Sequence, residues 1–257
     1  MVVALPKPRS LRGHVSAEEW AARVDLACAY RLTAHHGWTT MIYNHISVRV
    51  PDHADQFLLN PFGLHYSEVT ASNLVKVDLT GQVVDGSPYP INEAGFTIHS
   101  AIHGARHDIA AVMHTHTEAG TAVSALDCGL LPLNQDALVF YNRISYHDFE
   151  GIAFDLGERS RLVHDLGPHH AMILRNHGLL TCGRTVGEMF TLMYQLERTC
   201  RTQLLTLATG QKLTLPPHEV CEKTALQYGC NRGEPAGEDE WPHWVRMMDR
   251  LDPSYRD

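Results

Sequence analysis

Apolar and polar positions alternate along this chain in two rhythms, and each change of rhythm marks an element. From Trp20 to His36 the residues Val24, Ala27, Cys28 and Leu32 recur at helical spacing, and the run stops at Gly37. Ser16-Ala17-Glu18-Glu19 ahead of it is a capping box, with a hydroxyl at the N-cap and a carboxylate three residues on. Asn44 to Val50 alternates cleanly and predicts a strand ended by Pro51. Gln56 to Asn60 predicts a second strand, which breaks into Pro61-Phe62-Gly63. Leu74 to Leu79 and Gln82 to Val84 flank Thr80-Gly81 and predict a hairpin.

Further on, Asn92 is placed to cap a helix through about Arg106, with Phe96, Ile98, Ile102 and Ala105 on its buried side. Ala110 to His116 predicts a buried strand and Thr117 to Leu126 a helix. Ile144 to Phe149 predicts a short strand, and Glu158 to Leu166 a helix ending at Gly167. Two apolar segments, Ala171 to Leu174 and Gly178 to Cys182, surround an Asn-His-Gly turn. Thr185-Val186-Gly187-Glu188 repeats the capping logic and opens the longest helix, to about Ala208. Interleaved helices and strands with hairpin-like turns predict an α/β fold, a three-layer αβα sandwich around a mainly antiparallel or mixed sheet. Three parts are expected: an N-terminal arm (1–15), one domain (16–215) and a tail (216–257). The tail is rich in Pro, Gly and charge and ends in Trp241-Pro242-His243-Trp244 and an amphipathic piece near Met247 to Leu251. It is expected to dock on the domain or on a neighbouring subunit.

Composition narrows the classes. The chain has 257 residues, 44% of them hydrophobic, enough for one large core or two small ones. No apolar run reaches the ~20 residues that span a bilayer, and the start lacks the pattern of a signal peptide, so the expected location is the cytoplasm. The six cysteines show no C-x-x-C pair and read as reduced thiols. The net charge of -8, without a basic stripe, argues against a nucleic-acid partner. No glycine-rich dinucleotide or P-loop motif occurs.

The chemistry is concentrated in histidine, of which there are eighteen. His114 and His116 lie two apart on a predicted strand, so both imidazoles point to one face and can grip one metal ion. His177, in the Asn176-His177-Gly178 turn, would supply a third ligand and leave coordination positions open, as catalytic sites do. His99, His103 and His147 are alternative ligands; His99 and His103, four apart on one helix face, would otherwise form a pair behind the ligands.

These landmarks together resemble the class II aldolase/adducin family: Asn44-His45-Ile46-Ser47, Asn60-Pro61-Phe62-Gly63, Thr70 to Val75, Gly95 to Ala101, the His114/His116 strand, Tyr146-His147-Asp148 and Leu174-Arg175-Asn176-His177-Gly178. The likeness runs from about Val15 to Gly210 and leans toward the adducin-like branch. It implies that His114, His116 and His177 hold a divalent ion, zinc first, with Mn, Fe or Co as alternatives. It also implies a homotetramer with sites near subunit interfaces. Family aldolases chelate a keto substrate on the ion, which stabilises the charge that develops as a carbon–carbon bond breaks. It makes Tyr146 a proton donor to substrate, with His147 beside it as a substitute.

Departures from the family restrict the substrate. The sugar-phosphate aldolases cradle phosphate with paired serines and a G-N-x-S turn; here Tyr43 precedes Asn44 and Ile91-Asn92-Glu93 stands in the serine stretch. Aligned on His99, the family's catalytic glutamate falls on Gly95, with Glu93 two residues earlier. Glu93 is therefore either the base or a first-turn helix acid. Asn44 and Asn60 are candidate substrate hydrogen-bonders, and Arg175 a fork for a carboxylate. The expected activity is a metal-dependent carbon–carbon lyase, aldolase or decarboxylase, on a small non-phosphorylated oxo- or hydroxy-acid. A mononuclear iron oxygenase and a non-catalytic adducin-like assembly module are the alternatives, and no membrane partner is expected.

Overall fold

The computed structural model describes residues 10–152, 155–230 and 236–257, the side chains of 229 and 230 excepted. Most of the expected N-terminal arm, residues 1–9, and the Cys230 side chain lie outside the described residues. At the centre is a seven-stranded sheet: β1 His45–Arg49, β2 Gln56–Leu59, β3 Val75–Asp78, β4 Ala111–Thr115, β5 Ser145–His147, β6 Ala171–Leu174 and β7 Gly178–Gly183. Its spatial order is β3-β2-β1-β4-β7-β6-β5. Neighbours are antiparallel except β5 and β6, which run parallel. A parallel pair needs a crossover, and α4 (Glu158–Leu166) supplies it.

Period-2 burial sorts the strand residues between two faces. Met113, Ile173 and Leu179 pack with Leu26, Tyr30, Phe190 and Leu196 of α1 (Ala17–His35) and α5 (Val186–Leu207). Val112, Met172 and Leu180, on the opposite face, pack with Ile98 and Ile102 of α2 (Glu93–Ala105) and Leu162 of α4. The result is the expected α/β sandwich, helices on both sides of a mixed sheet. The short α3 (Glu118–Ser124) follows β4 directly, so the chain turns from strand to helix beside His116.

Two local expectations change. Ser16 Oγ accepts from Glu19 N at 3.1 Å, as a cap should. The Glu19 carboxylate does not return to the cap; it accepts from Arg23 at 2.9 Å and Lys76 at 2.7 Å. Arg23 is fully buried and also pairs with Asp85, and a buried guanidinium requires partners more than a helix end does. The hairpin turn at Thr80-Gly81 forms, but its second arm is reduced to a single Val77–Val83 bridge. Asp85 Oδ2 turns back to accept from Lys76 N and Arg23, which ends the pairing there.

The tail holds two helices, α6 (His218–Cys230) and α7 (Trp241–Leu251). Trp241 donates its indole N–H to Asp25 at 3.1 Å, and Tyr255 is buried with its hydroxyl on Asp249 at 2.7 Å. Ala71 N and Ser72 N donate to the carbonyls of Tyr255 and Asp257. Among the described residues no helix is long and apolar enough to cross a membrane, and Cys28, Cys128, Cys182, Cys200 and Cys221 are free thiols.

Candidate metal centre

Strand alternation and one turn assemble the three histidines. Thr115 sends its hydroxyl to Met193 Sδ of α5 at 3.3 Å, so His114 and His116 project to the opposite side of the strand line. Leu174 pairs with Gly178, which leaves Arg175-Asn176-His177 as the turn between β6 and β7. Asn176 takes φ of 53°, the left-handed region that asparagine tolerates better than most residues. A Cβ on Gly178 would collide with the Thr115 carbonyl oxygen and lie 3.1 Å from His116 Cδ2. Glycine there lets β7 begin hard against the end of β4, and His177 arrives beside the other two rings.

The ring centroids of His114, His116 and His177 lie 4.6, 4.6 and 4.7 Å apart, with one ligand nitrogen from each within 4.8 Å of the others. His114 Nδ1–H donates to the Leu179 carbonyl at 2.9 Å. A carbonyl can only accept, so this bond settles the tautomer and leaves the Nε2 lone pair for a ligand. His116 Nε2 sits 2.7 Å from it. Two nitrogens bound at about 2.0–2.1 Å to one tetrahedral ion are roughly 3.3 Å apart, which a small ring rotation supplies. Burial holds His114 well below the ordinary imidazole range and lowers His116; burial, with His116 and His147 nearby, takes His177 down to about 4. Neutral imidazoles are the form a divalent ion requires, so the donor set fits zinc or a similar ion.

These histidines open on a cavity of about 730 Å³. Tyr43, Phe62, Ile91, Ile98, Phe149 and Ile152 make its walls largely apolar. Glu93 lines it from the first turn of α2, the position expected for either a base or a helix-terminal acid. Asn92 caps that helix, its Oδ1 accepting from Ala94 N at 3.1 Å and Gly95 N at 3.4 Å, while its amide donates to the Tyr43 carbonyl.

Behind this wall runs a file of polar side chains that the sequence reading did not assemble. His45 Nδ1 meets His99 Nε2 at 2.8 Å, His99 Nδ1 bonds Ser47 Oγ, and Ser47 Oγ meets His103 Nε2 at 2.7 Å. All four are buried, and burial pushes His45 and His99 well below the usual range and His103 to about 3. His99 and His103 thus stand behind His45 rather than behind the three-histidine cluster. The signal was present: His45 and Ser47 share a strand face as His114 and His116 do, opposite two histidines four apart on α2. His45 also pairs in register with His114 across β1 and β4.

The other candidates sit elsewhere in the single chain. Tyr146 hydroxyl accepts from Leu130 N at 3.0 Å, and the Arg175 guanidinium lies over its ring at 4.3 Å while donating to the Leu126 carbonyl at 2.6 Å. His147 is held by Asp165 at 2.7 Å and Glu158 at 3.4 Å, on a separate cavity of about 250 Å³. Asn44 Oδ1 accepts from Thr40 N, and Asn60 Oδ1 from the Tyr30 hydroxyl. None of these five lines the cavity of the three histidines. Each has found the partner its own turn or strand end offers, which sequence adjacency to a landmark does not reveal.

Comparison with known proteins places the chain in a family. A protein of Caulobacter vibrioides named for class 2 aldolases is 49% identical over 255 residues, covering 99% of this chain and 98% of that one. Rat alpha-adducin is 43% identical over 243 residues, 89% of this chain but 33% of adducin. The solved structure of an L-fuculose 1-phosphate aldolase from Glaciozyma antarctica superposes with a TM-score of 0.84 at 29% identity, covering 99% of this chain and 97% of that one. Residues 24–204 match the family described as Class II Aldolase and Adducin N-terminal domain, and the chain belongs to that family.

Proposed function

We propose that the protein is a divalent-metal-dependent carbon–carbon lyase, of aldolase or decarboxylase type, acting on a small non-phosphorylated oxo- or hydroxy-acid. The observation that carries the reading is the meeting of three neutral imidazoles on the wall of a cavity large enough for such an acid. His114, His116 and His177 are the residues to hold the ion, zinc before Mn, Fe or Co. When bound, such an ion supplies Lewis acidity toward a carbonyl oxygen. Glu93, on the same wall, is the group positioned to carry a proton; Tyr146 and His147 do not line this cavity within the single chain, though the Tyr146 O–H stays free to donate. Tyr43, Phe62 and Phe149 make the wall beside these groups apolar.

The substrate class follows from what the cavity offers. Among the described residues no lysine or arginine lines it, and Asn92 takes up the amides of Ala94 and Gly95 at the α2 N-terminus. A phosphate needs several convergent donors, and these are spent. This supports a substrate other than the sugar phosphate for which the Glaciozyma antarctica relative is named. The reading includes a cytoplasmic homo-oligomer, a tetramer by resemblance. The alpha-adducin likeness favours a second reading, a non-catalytic binding module on the same fold.

A screen of 2-oxo- and hydroxy-acids with Zn(II), Mn(II) and Fe(II), run beside His114→Ala, tests the reading. Wild type is expected to bind zinc and turn over at least one acid, and the variant to lose both. Zinc binding without turnover under any metal favours the binding module. Oxygen uptake with iron shifts the reading to the oxygenase.

A further inference from the structure

We propose that His45 is a substrate-contacting residue, held by the file His99–Ser47–His103 so that its Nε2–H faces an oxygen of the acid bound beside His114, His116 and His177. The inference rests on the lyase reading above and adds a residue and a ligand contact to it.

Three observations carry it. First, His45 lines the cavity and its ring centroid lies 5.2 Å from that of His114, so it shares the wall without belonging to the three-nitrogen cluster. Second, the ring is seated by a missing side chain. A Cβ on Gly95 would fall 2.7 Å from His45 Cγ and 2.9 Å from its Nε2, so the imidazole fills the space a residue-95 side chain would take. No interior reason requires glycine in the first turns of α2, where alanine is the better helix former by roughly 1 kcal/mol. The ring is the reason.

Third, the file has a preferred sense, and its closed end decides it. His103 Nδ1 is buried with no partner among the described residues. Each neutral imidazole carries one N–H and Ser47 one O–H with two lone pairs, so three arrangements satisfy every contact. One has Ser47 accept twice and orphans its own buried O–H, one leaves an orphaned N–H on His103 Nδ1, and the third leaves there only an unused lone pair. An orphaned buried donor is the rarer and costlier state. His103 Nε2–H therefore donates to Ser47, Ser47 O–H to His99 Nδ1, and His99 Nε2–H to His45 Nδ1. That leaves His45 with a proton on Nε2, a neutral donor on a cavity wall that, among the described residues, carries no lysine or arginine. A carboxylate or carbonyl oxygen is what such a donor receives. His99 is a positioning residue, acting through His45.

Nitrogen-15 NMR of the imidazoles in the intact wild-type protein reads the tautomer directly, with or without zinc. A protonated Nε2 and bare Nδ1 on His45 is expected; the opposite tautomer overturns the proposal. Zinc affinity by chelator competition and oxalate binding to the zinc-loaded protein are then compared for wild type, His45→Phe and Gly95→Ala. The first variant keeps the ring and removes the donor, and the second displaces the ring. Oxalate affinity is expected to fall about tenfold or more in both, as for a hydrogen bond to a charged group, with zinc affinity within about threefold of wild type. Unchanged oxalate binding overturns the role of His45 alone, and a hundredfold loss of zinc makes it a ligand instead, which also overturns it. Failure of wild type to take up zinc, read before any oxalate is added, overturns the lyase reading on which the proposal stands. If neither variant folds, the wild-type tautomer decides.

Discussion

At the scale of single residues, His36 illustrates what burial does to an imidazole away from the cavity. It stacks on Trp38 with centroids 4.7 Å apart, its Nε2 has no partner among the described residues, and burial beside His35 takes it down to about 4. The unfolded chain takes up this proton as pH falls below the ordinary value of 6.5, while the native ring refuses it until about 4. Stability from this group is therefore complete above 6.5 and lost as pH falls through that window. His36→Phe should raise the urea midpoint modestly at pH 8, by removing an orphaned nitrogen, and by more at pH 5. Equal gains at both values would refute the proton account. His45 and Gly95 make a second residue-scale pair: Gly95→Ala should lower stability, and the loss should shrink when His45 is also replaced by Ala, a coupling a double-mutant cycle measures.

At the scale of elements, the decisive contacts are those between β4 and β7 and at the start of α2. Gly178→Ala forces a Cβ against the Thr115 carbonyl, and β7 must withdraw from β4. The expected cost is roughly 1–3 kcal/mol, as for other overpacked sites, with a fall in zinc affinity of about tenfold or more because His177 moves with the strand. Normal zinc affinity in a destabilised variant would show that the strand contact does not position His177. Asn92→Ala removes the cap that holds the first turn of α2, where Glu93 and Gly95 sit. A loss of about 1 kcal/mol is expected from denaturant melts, with wild-type zinc binding retained.

At the scale of the whole molecule, metal and folding are linked. An ion that binds only the native chain stabilises it by about 2.7 kcal/mol at a hundred times its dissociation constant, a rise of several degrees in melting temperature for a chain of this size. Zinc should raise the melting temperature of wild type, a chelator should reverse the rise, and His177→Ala should show neither. His103, taken down to about 3, and His177, taken down to about 4, titrate in the same direction as His36. Acid therefore weakens the metal-free fold as a whole from about pH 6.5 downward, and a stability profile flat to pH 4 would contradict that sum.

Much of the fold was legible because it is written in local, repeating chemistry. Ser16, Asn92 and Thr185 cap their helices where hydroxyl and amide residues precede periodic runs, and each accepts the expected backbone N–H. The strand spacing of His114 and His116 and the turn residue Asn176 foretold the cluster, since alternation and left-handed turns depend on a few adjacent residues. The tail helices were less legible, because α7 draws its support from partners such as Asp25, 216 positions away in the chain. That the Arg175 guanidinium lies over the Tyr146 ring was not legible, because the two residues come from segments that meet only in the folded chain.

By itself, then, the sequence determined the helices and strands, the face to which His114 and His116 point, and the family. Only the tertiary structure decided that His45 occupies the space left by Gly95, and that Arg23 draws Glu19 away from its cap. The physical reason is range: periodicity and capping are satisfied within a turn or two of chain. Packing volume, buried charge and the sense of a hydrogen-bonded file are settled among residues that meet only after the sheet has formed.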